Sequence, residues 1–113
     1  MADEYIVRIT EQARRQLQEI THYVALSLQA PTTAMRLLDT LEEAIKSLTH
    51  LPDRIALTEE EPWRSSGMHK MAVKNFLVYF WIDEVARRVQ VIAVIYGRRD
   101  QLQQLQQVEM DLE

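Results

Sequence analysis

The sequence predicts an α+β domain: a strand, a helical hairpin, a three-stranded antiparallel meander and a short C-terminal helix. Three observations carry this. Two apolar stripes at helical spacing fill the first half of the chain, a proline separates them, and three strand-like runs crowd into residues 69–96. With 113 residues, 47% of them apolar and only 2 Gly and 3 Pro, the chain suits one domain over 1–113. Its core is expected over about 4–100, followed by a tail over 101–113.

Glu4 to Ile9 alternates, with Tyr5, Val7 and Ile9 on one face and Arg8 on the other, which predicts a strand. Thr10 can cap a helix, and Glu11 places a negative charge in its first turn, where the helix dipole favours it. Ala13, Leu17, Ile20, Val24 and Leu28 then form one apolar stripe, to about residue 29. Pro31 disfavours helix at the residue before it and suits a new first turn, so a second helix starts there. Its stripe is Leu38, Leu41, Ile45 and Leu48, and Leu51-Pro52 ends it. So short a turn between two helices implies an antiparallel hairpin.

Residues 53–67 read as a polar loop with Glu59-Glu60-Glu61, Trp63, Arg64 and Ser65-Ser66-Gly67. The strand runs are His69 to Val73, Phe76 to Ile82 and Val89 to Tyr96. Phe76 to Ile82 is apolar throughout, so it is expected to be an interior strand, covered on both faces. Lys74-Asn75 reads as a tight turn, with Asn75 the residue tolerant of left-handed geometry. Asp100 and Gln103 resemble a capping box, and Leu102, Leu105 and Val108 follow at spacings of three, predicting the C-terminal helix. One sheet face is expected to pack on the hairpin, leaving an apolar groove for a partner's helix or added strand.

Several classes are disfavoured. Without cysteine there is neither a disulfide framework nor a thiolate metal site. His22 and His50 have no metal-ligand spacing, and no Gly-rich loop cradles a nucleotide, so neither metal nor cofactor is expected. The N-terminus lacks signal-peptide features and no apolar run is long enough to span a bilayer, so a cytoplasmic protein is expected. The net charge of −4 gives no reason to expect sequence-specific DNA binding by this chain alone. Charge is unevenly spread, however. Residues 63–99 hold 7 basic and 2 acidic side chains, a net of +5 inside an acidic protein. Such a stretch attracts an anionic partner, or merely keeps a sheet soluble.

The strand Glu4–Ile9, the helix with Arg14-Arg15 and Leu17, and the Ala34 to Leu48 pattern ending in Leu51-Pro52 together resemble toxins of the RelE/ParE superfamily. So do Lys70-Met-Ala-Val-Lys-Asn-Phe-Leu-Val-Tyr-Phe and, most specifically, Val91-Ile-Ala-Val-Ile-Tyr-Gly-Arg-Arg-Asp100. The resemblance covers about residues 4–100. It implies the toxin of a type II toxin–antitoxin system, held inactive by a cognate antitoxin. RelE-like members cut messenger RNA on the ribosome; ParE-like members poison DNA gyrase and lack the nuclease residues. In the RelE pattern an Arg precedes the Leu-Val-Tyr of the middle strand, where this chain has Phe76, and a Tyr follows the terminal Arg pair, where it has Leu105. Losing a cation and an acid/base group removes much of what RNA cleavage needs. The ParE-like reading leads, an mRNA interferase is the alternative, and a non-toxic antitoxin-binding module is the third reading.

The candidate site residues follow. Arg98 and Arg99 offer guanidinium forks to a phosphate or an acidic surface, or are solvated charges. If the protein is a nuclease, Arg99, Lys70 and His69 are the catalytic candidates; a strand-edge His is more commonly just exposed. Arg64 and Trp63 are candidate contacts for target or antitoxin, since exposed Trp and Arg favour binding hot spots. For Trp63 the simpler reading is that it pins its loop to the sheet. Lys74 in its turn and the Glu59–Glu61 run read as ordinary solvated charge.

Overall fold

A computed structural model describes residues 4–97 of the chain. Strand β1 (Ile6–Ile9) leads into helix α1 (Glu11–His22), then helix α2 (Pro31–Lys46), then strands β2 (His69–Val73), β3 (Phe76–Asp83) and β4 (Arg88–Tyr96). This is the α+β order expected from the sequence. The expected C-terminal helix, with Leu102, Leu105 and Val108, lies outside the described residues.

The sheet order is β1-β4-β3-β2, with β2, β3 and β4 antiparallel and β1 parallel to β4. The all-apolar strand β3 is therefore interior, and Val78, Tyr79 and Phe80 at its middle are fully buried. Beside it, β4 is interior as well. Between the pairs Tyr79↔Ala93 and Phe80↔Val91, Ile92 is an extra residue, a β-bulge. The bulge resets the alternation, so that Val89, Val91 and Val94 join the core beneath the helices while Ala93 and Ile95 line the opposite face.

Helix α1 starts where the sequence places it. The Thr10 hydroxyl accepts the Ala13 N–H at 3.2 Å, and the Thr10 N–H donates to the Val91 carbonyl at 2.9 Å, so the cap also ends the β1–β4 pairing. Beyond that point β1 no longer covers β4. Gln16 takes over, its Oε1 accepting the Val94 N–H at 2.8 Å. After His22 the helix widens into a π turn over Tyr23–Ser27, closed by the Leu28 N–H on the Tyr23 carbonyl. Gln29, at φ 51°, turns the chain before Pro31 opens α2.

Ala13, Leu17, Leu41, Ile45 and Leu48 cover one sheet face, packing on Met71, Val73, Val78, Phe80, Val89, Val91 and Val94. The far end of the α1 stripe runs past the sheet: Leu28 is exposed, together with Tyr23, Leu26 and Met35 near the hairpin tip. Tyr5 fastens the start of β1. Its hydroxyl donates to Glu84 at 2.7 Å and accepts from Arg87, whose guanidinium lies 5.2 Å from the ring centroid. The β2–β3 turn departs from the sequence expectation in one respect, since Lys74, not Asn75, takes the left-handed position at φ 57°. Asn75 instead supplies a carbonyl to the Gly97 N–H at 2.9 Å, which requires its peptide to face β4.

Replacing Gln16 with Leu would leave the Val94 N–H without an acceptor while keeping the packing volume. The expected loss of stability is about 1–3 kcal/mol. Urea unfolding of the two proteins would show it as a lower midpoint at unchanged slope; coincident curves would mean that this bond is replaceable.

Candidate functional site

The second sheet face, away from the helices, brings together three of the candidate residues, Trp63, Arg64 and Lys70. Leu77, Tyr79 and Trp81 of β3, with Ala93 and Ile95 of β4, form an apolar floor. The loop between residues 57 and 68 folds over part of it. Trp63 (4% exposed) and Met68 (1% exposed) insert into this floor, so Trp63 pins the loop and presents almost no ring surface to a partner. The loop is also held by the backbone. Thr58 N–H donates to the Met68 carbonyl, Lys70 N–H to Ala56, and Leu57 bridges His69.

Over this floor lies a polar cluster. Thr58, wholly buried, donates its hydroxyl hydrogen bond to Glu60, and Lys70 Nζ lies 3.5 Å from the other Glu60 oxygen. Arg64 donates to the Thr58 carbonyl at 3.3 Å. Burial pushes the Glu60 carboxyl up, but the Thr58 bond and the Lys70 charge outweigh it and hold the pKa below the ordinary carboxylate value. Burial and the Glu60 charge together raise the Tyr79 phenol, which stays neutral. Tyr79 OH and Trp63 Nε1 are buried with no hydrogen-bond partner among the described residues. Glu60 was passed over in the sequence as part of a solvated run. Only its spacing from Thr58 hinted otherwise, and nothing linear pointed to Lys70.

His69 and Lys70 are neighbours in a strand, so their side chains leave opposite faces. Lys70 points to the polar cluster. His69 points the other way, its Nδ1 donating to the Ile55 carbonyl at 2.7 Å and its ring stacked on Phe80, centroids 5.1 Å apart. The fold thus separates two residues that the sequence placed side by side. Lys70, Glu60 and Arg64 come together; His69 does not join them.

Arg98 and Arg99 lie outside the described residues. Their point of departure is defined. Gly97 sits against Asn75 and Leu77, where a β-carbon would come within 3.1 Å of Leu77 Cγ and 3.3 Å of the Asn75 oxygen, which explains glycine at that position. The Tyr96↔Phe76↔Val73 row is three residues along β2 from Lys70, so the strand leaves the sheet beside the Lys74–Asn75 turn. Among the described residues no group of three or more His, Cys, Asp or Glu is placed to hold a metal ion. Nor is any helix among them long and apolar enough to cross a membrane.

Residues 7–101, from β1 through the Gly97-Arg98-Arg99 segment, match the family described as ParE toxin of the type II toxin–antitoxin system parDE. The chain belongs to the ParE toxin family. Its fold is similar to that of a chain of the chromosomal ParDE system of P. aeruginosa, at TM-score 0.66 and 20% identity, over 84% of this chain and 98% of that one. The RelBE2 toxin–antitoxin complex of Mycobacterium tuberculosis is similar at TM-score 0.61 and 22% identity, over 82% of this chain and 98% of that one. A mutant of the E. coli toxin RelE in the free state is similar at TM-score 0.54 and 14% identity, over 95% and 92%. Among curated proteins none matches. The ParE-family chain therefore carries the RelE/ParE superfamily fold expected from the resemblance over residues 4–100.

A Glu60→Gln variant of the toxin should lose about 1 kcal/mol at pH 7. Because folding lowers the Glu60 pKa, its contribution is present above the ordinary value of 4.5 and fades as pH falls through the folded value. Urea midpoints of parent and variant should therefore converge in acid. A gap that persists undiminished at pH 3 would show that the Glu60 charge is not its source.

Proposed function

We propose that this protein is the growth-inhibiting toxin of a type II pair, neutralised by a cognate antitoxin, and that it acts in the ParE manner. It inhibits DNA gyrase, or another essential target, by protein–protein contact and does not cut RNA. The observation that carries this reading is the division of β2. RNA cleavage needs a base, an acid and a cation converging on one phosphate. Here His69 and Lys70 face opposite sides of the sheet, and Lys70 is already engaged by Glu60. Phe76, where the RelE pattern has an Arg, packs edge-on against Tyr96 at 5.6 Å and supplies no charge. Tyr79, the hydroxyl nearest Lys70 in register, is buried and held neutral. Membership of the ParE family points the same way.

The test is expression in cells. The toxin alone should stop growth, and its antitoxin should restore it. Early after induction, DNA-damage signalling with intact messages is expected; cleavage of messages at codon intervals would reverse the reading in favour of an interferase. Normal growth at high soluble expression would favour a non-toxic binding module. Replacing Arg98 and Arg99 together by Ala should abolish toxicity, with Arg99 contributing more, while the far-UV circular dichroism of the variant should match the parent. Arg99→Lys should retain part of the activity on a protein target, where a point charge can substitute for the planar fork. A folded, fully toxic double variant would move the active surface elsewhere.

A further inference from the structure

The 57–68 loop closes one half of the second sheet face and leaves the other half open. Two register rows cross the open half: Ile6, Arg88 and Asp83 in one, Arg8, Gln90 and Trp81 in the next. Residues opposite one another in register leave a sheet on the same side. All of these therefore share the face on which Trp81 packs against the Trp63–Met68 cluster. Ile6, Arg8, Arg88 and Gln90 are exposed, Ile6 by 58%. Arg8, Ile9, Arg88 and Gln90 line a concavity of about 420 Å³ there.

Nearby cations are matched inside the chain. Lys70 faces Glu60, Arg64 donates to the Thr58 carbonyl, and Arg87 donates to the hydroxyl of Tyr5, over whose ring it lies. Arg8 and Arg88 are not matched in this way. Neither guanidinium has a hydrogen bond or an ion pair with another described residue. Asp83 stands opposite Arg88, but its Oδ1 accepts the Ala86 N–H at 3.0 Å, within its own turn. Arg8 and Arg88 are diagonal neighbours on adjacent strands, a like-charge arrangement from which folding gains nothing. Arginine is enriched at binding hot spots and matches carboxylates bidentately, and Ile6 adds apolar surface beside it.

We propose that this open half is a contact surface for the toxin's protein target, which sets carboxylates over Arg8 and Arg88 and an apolar side chain on Ile6. The inference rests on the toxin reading above and deepens it by naming a target-binding face and the chemistry that fits it. A protein fits better than a nucleic acid. Asp83 and Glu84 lie at the end of β3, beside Arg88, and the chain as a whole carries a charge of −4. A continuous run of phosphates would meet repulsion around only two cations; a local carboxylate pair on a folded surface would not. The face is also separate from the arginine pair that follows β4. Strand β4 sets Arg88 and Tyr96 roughly 25 Å apart. A target that reaches both ends is broad, and losing one contact weakens its binding without removing the other.

Growth arrest should be titrated against the level of full-length toxin expressed without antitoxin. Arg8→Glu with Arg88→Glu is expected to need about tenfold more toxin for the same arrest. Arg8→Ala with Arg88→Ala, a milder change at two unpartnered side chains, should shift it in the same direction by less. Arg15→Glu with Arg36→Glu changes the net charge equally on exposed helix positions and should leave it unchanged. With purified gyrase, the Arg8 and Arg88 reversal should weaken toxin binding about tenfold near 0.05 M salt, and the gap should narrow near 0.3 M, because the charges are exposed. The growth assay decides even where the target is another protein. A double reversal that arrests growth as the parent does overturns the face and leaves the toxin reading standing. Loss of antitoxin capture with arrest unchanged would assign the face to the antitoxin and overturn the proposal. So would binding of the parent to a mixed-sequence DNA duplex that the reversal abolishes while arrest is unchanged. A parent that is soluble, abundant and without effect on growth overturns the toxin reading, and the contact face with it.

Discussion

The parallel seating of β1 on β4 is the constraint on which the other contacts depend. Residues near the start of the chain, Ile6 to Ile9, pair with residues near the end of the described segment, Arg88 to Val91. Closing so long a loop costs entropy, and a parallel pair lacks the local hairpin that would help to nucleate it. The pairing is secured by side chains at both ends. Tyr5, Glu84 and Arg87 fasten one end, while Thr10 and Gln16 fasten the other to the backbone of Val91, Ile92 and Val94. With β1 in place, α1 has to start directly over β4, and its apolar stripe falls on the sheet. The hairpin then brings Leu41 and Ile45 of α2 onto the same face.

The bulge at Ile92 is what lets β4 serve both sides of the sheet. A strictly alternating strand would give one face to the helices and one to solvent. The extra residue shifts the phase where β1 ends, so Val94 rejoins the helix side and Ala93 and Ile95 receive Trp63 and Met68. The second face is consequently divided. Its half near the end of β4 is closed by the 57–68 loop and the Thr58–Glu60–Lys70 cluster; its half near Arg88 stays open, with Arg8 and Gln90 beside it. The chemistry of this face follows from that division, because the half under the loop holds its polar groups against one another, while Arg8 and Arg88 in the other half are exposed and in no ion pair with another described residue.

The order of elements was legible in the sequence because it depends on local signals. Thr10 with Glu11 started a helix, Pro31 separated two stripes, and an uninterrupted apolar run from Phe76 to Ile82 required an interior strand; all three hold in the fold. The resemblance read over about residues 4–100 met the family match over 7–101. Linear spacing misled wherever direction mattered. His69 and Lys70 look like a pair in the sequence, yet strand parity sends one to Phe80 and the other to Glu60. Leu28 continues the α1 stripe but lies past the end of the sheet it would pack on. Lys74 takes the left-handed position because Asn75 is held by its carbonyl to Gly97, a contact made 22 residues away in the chain.

Periodicity and punctuation thus determined which segments are helices and strands, since those preferences act within a few residues. Tertiary structure alone decided that β1 joins β4 in parallel, that Ile92 bulges, that Glu60 neutralises Lys70, and that Arg8 and Arg88 line one concavity on the same sheet face. Each of these depends on strand order and register. Those are set by the packing of residues tens of positions apart, for which a linear pattern carries no direct signal.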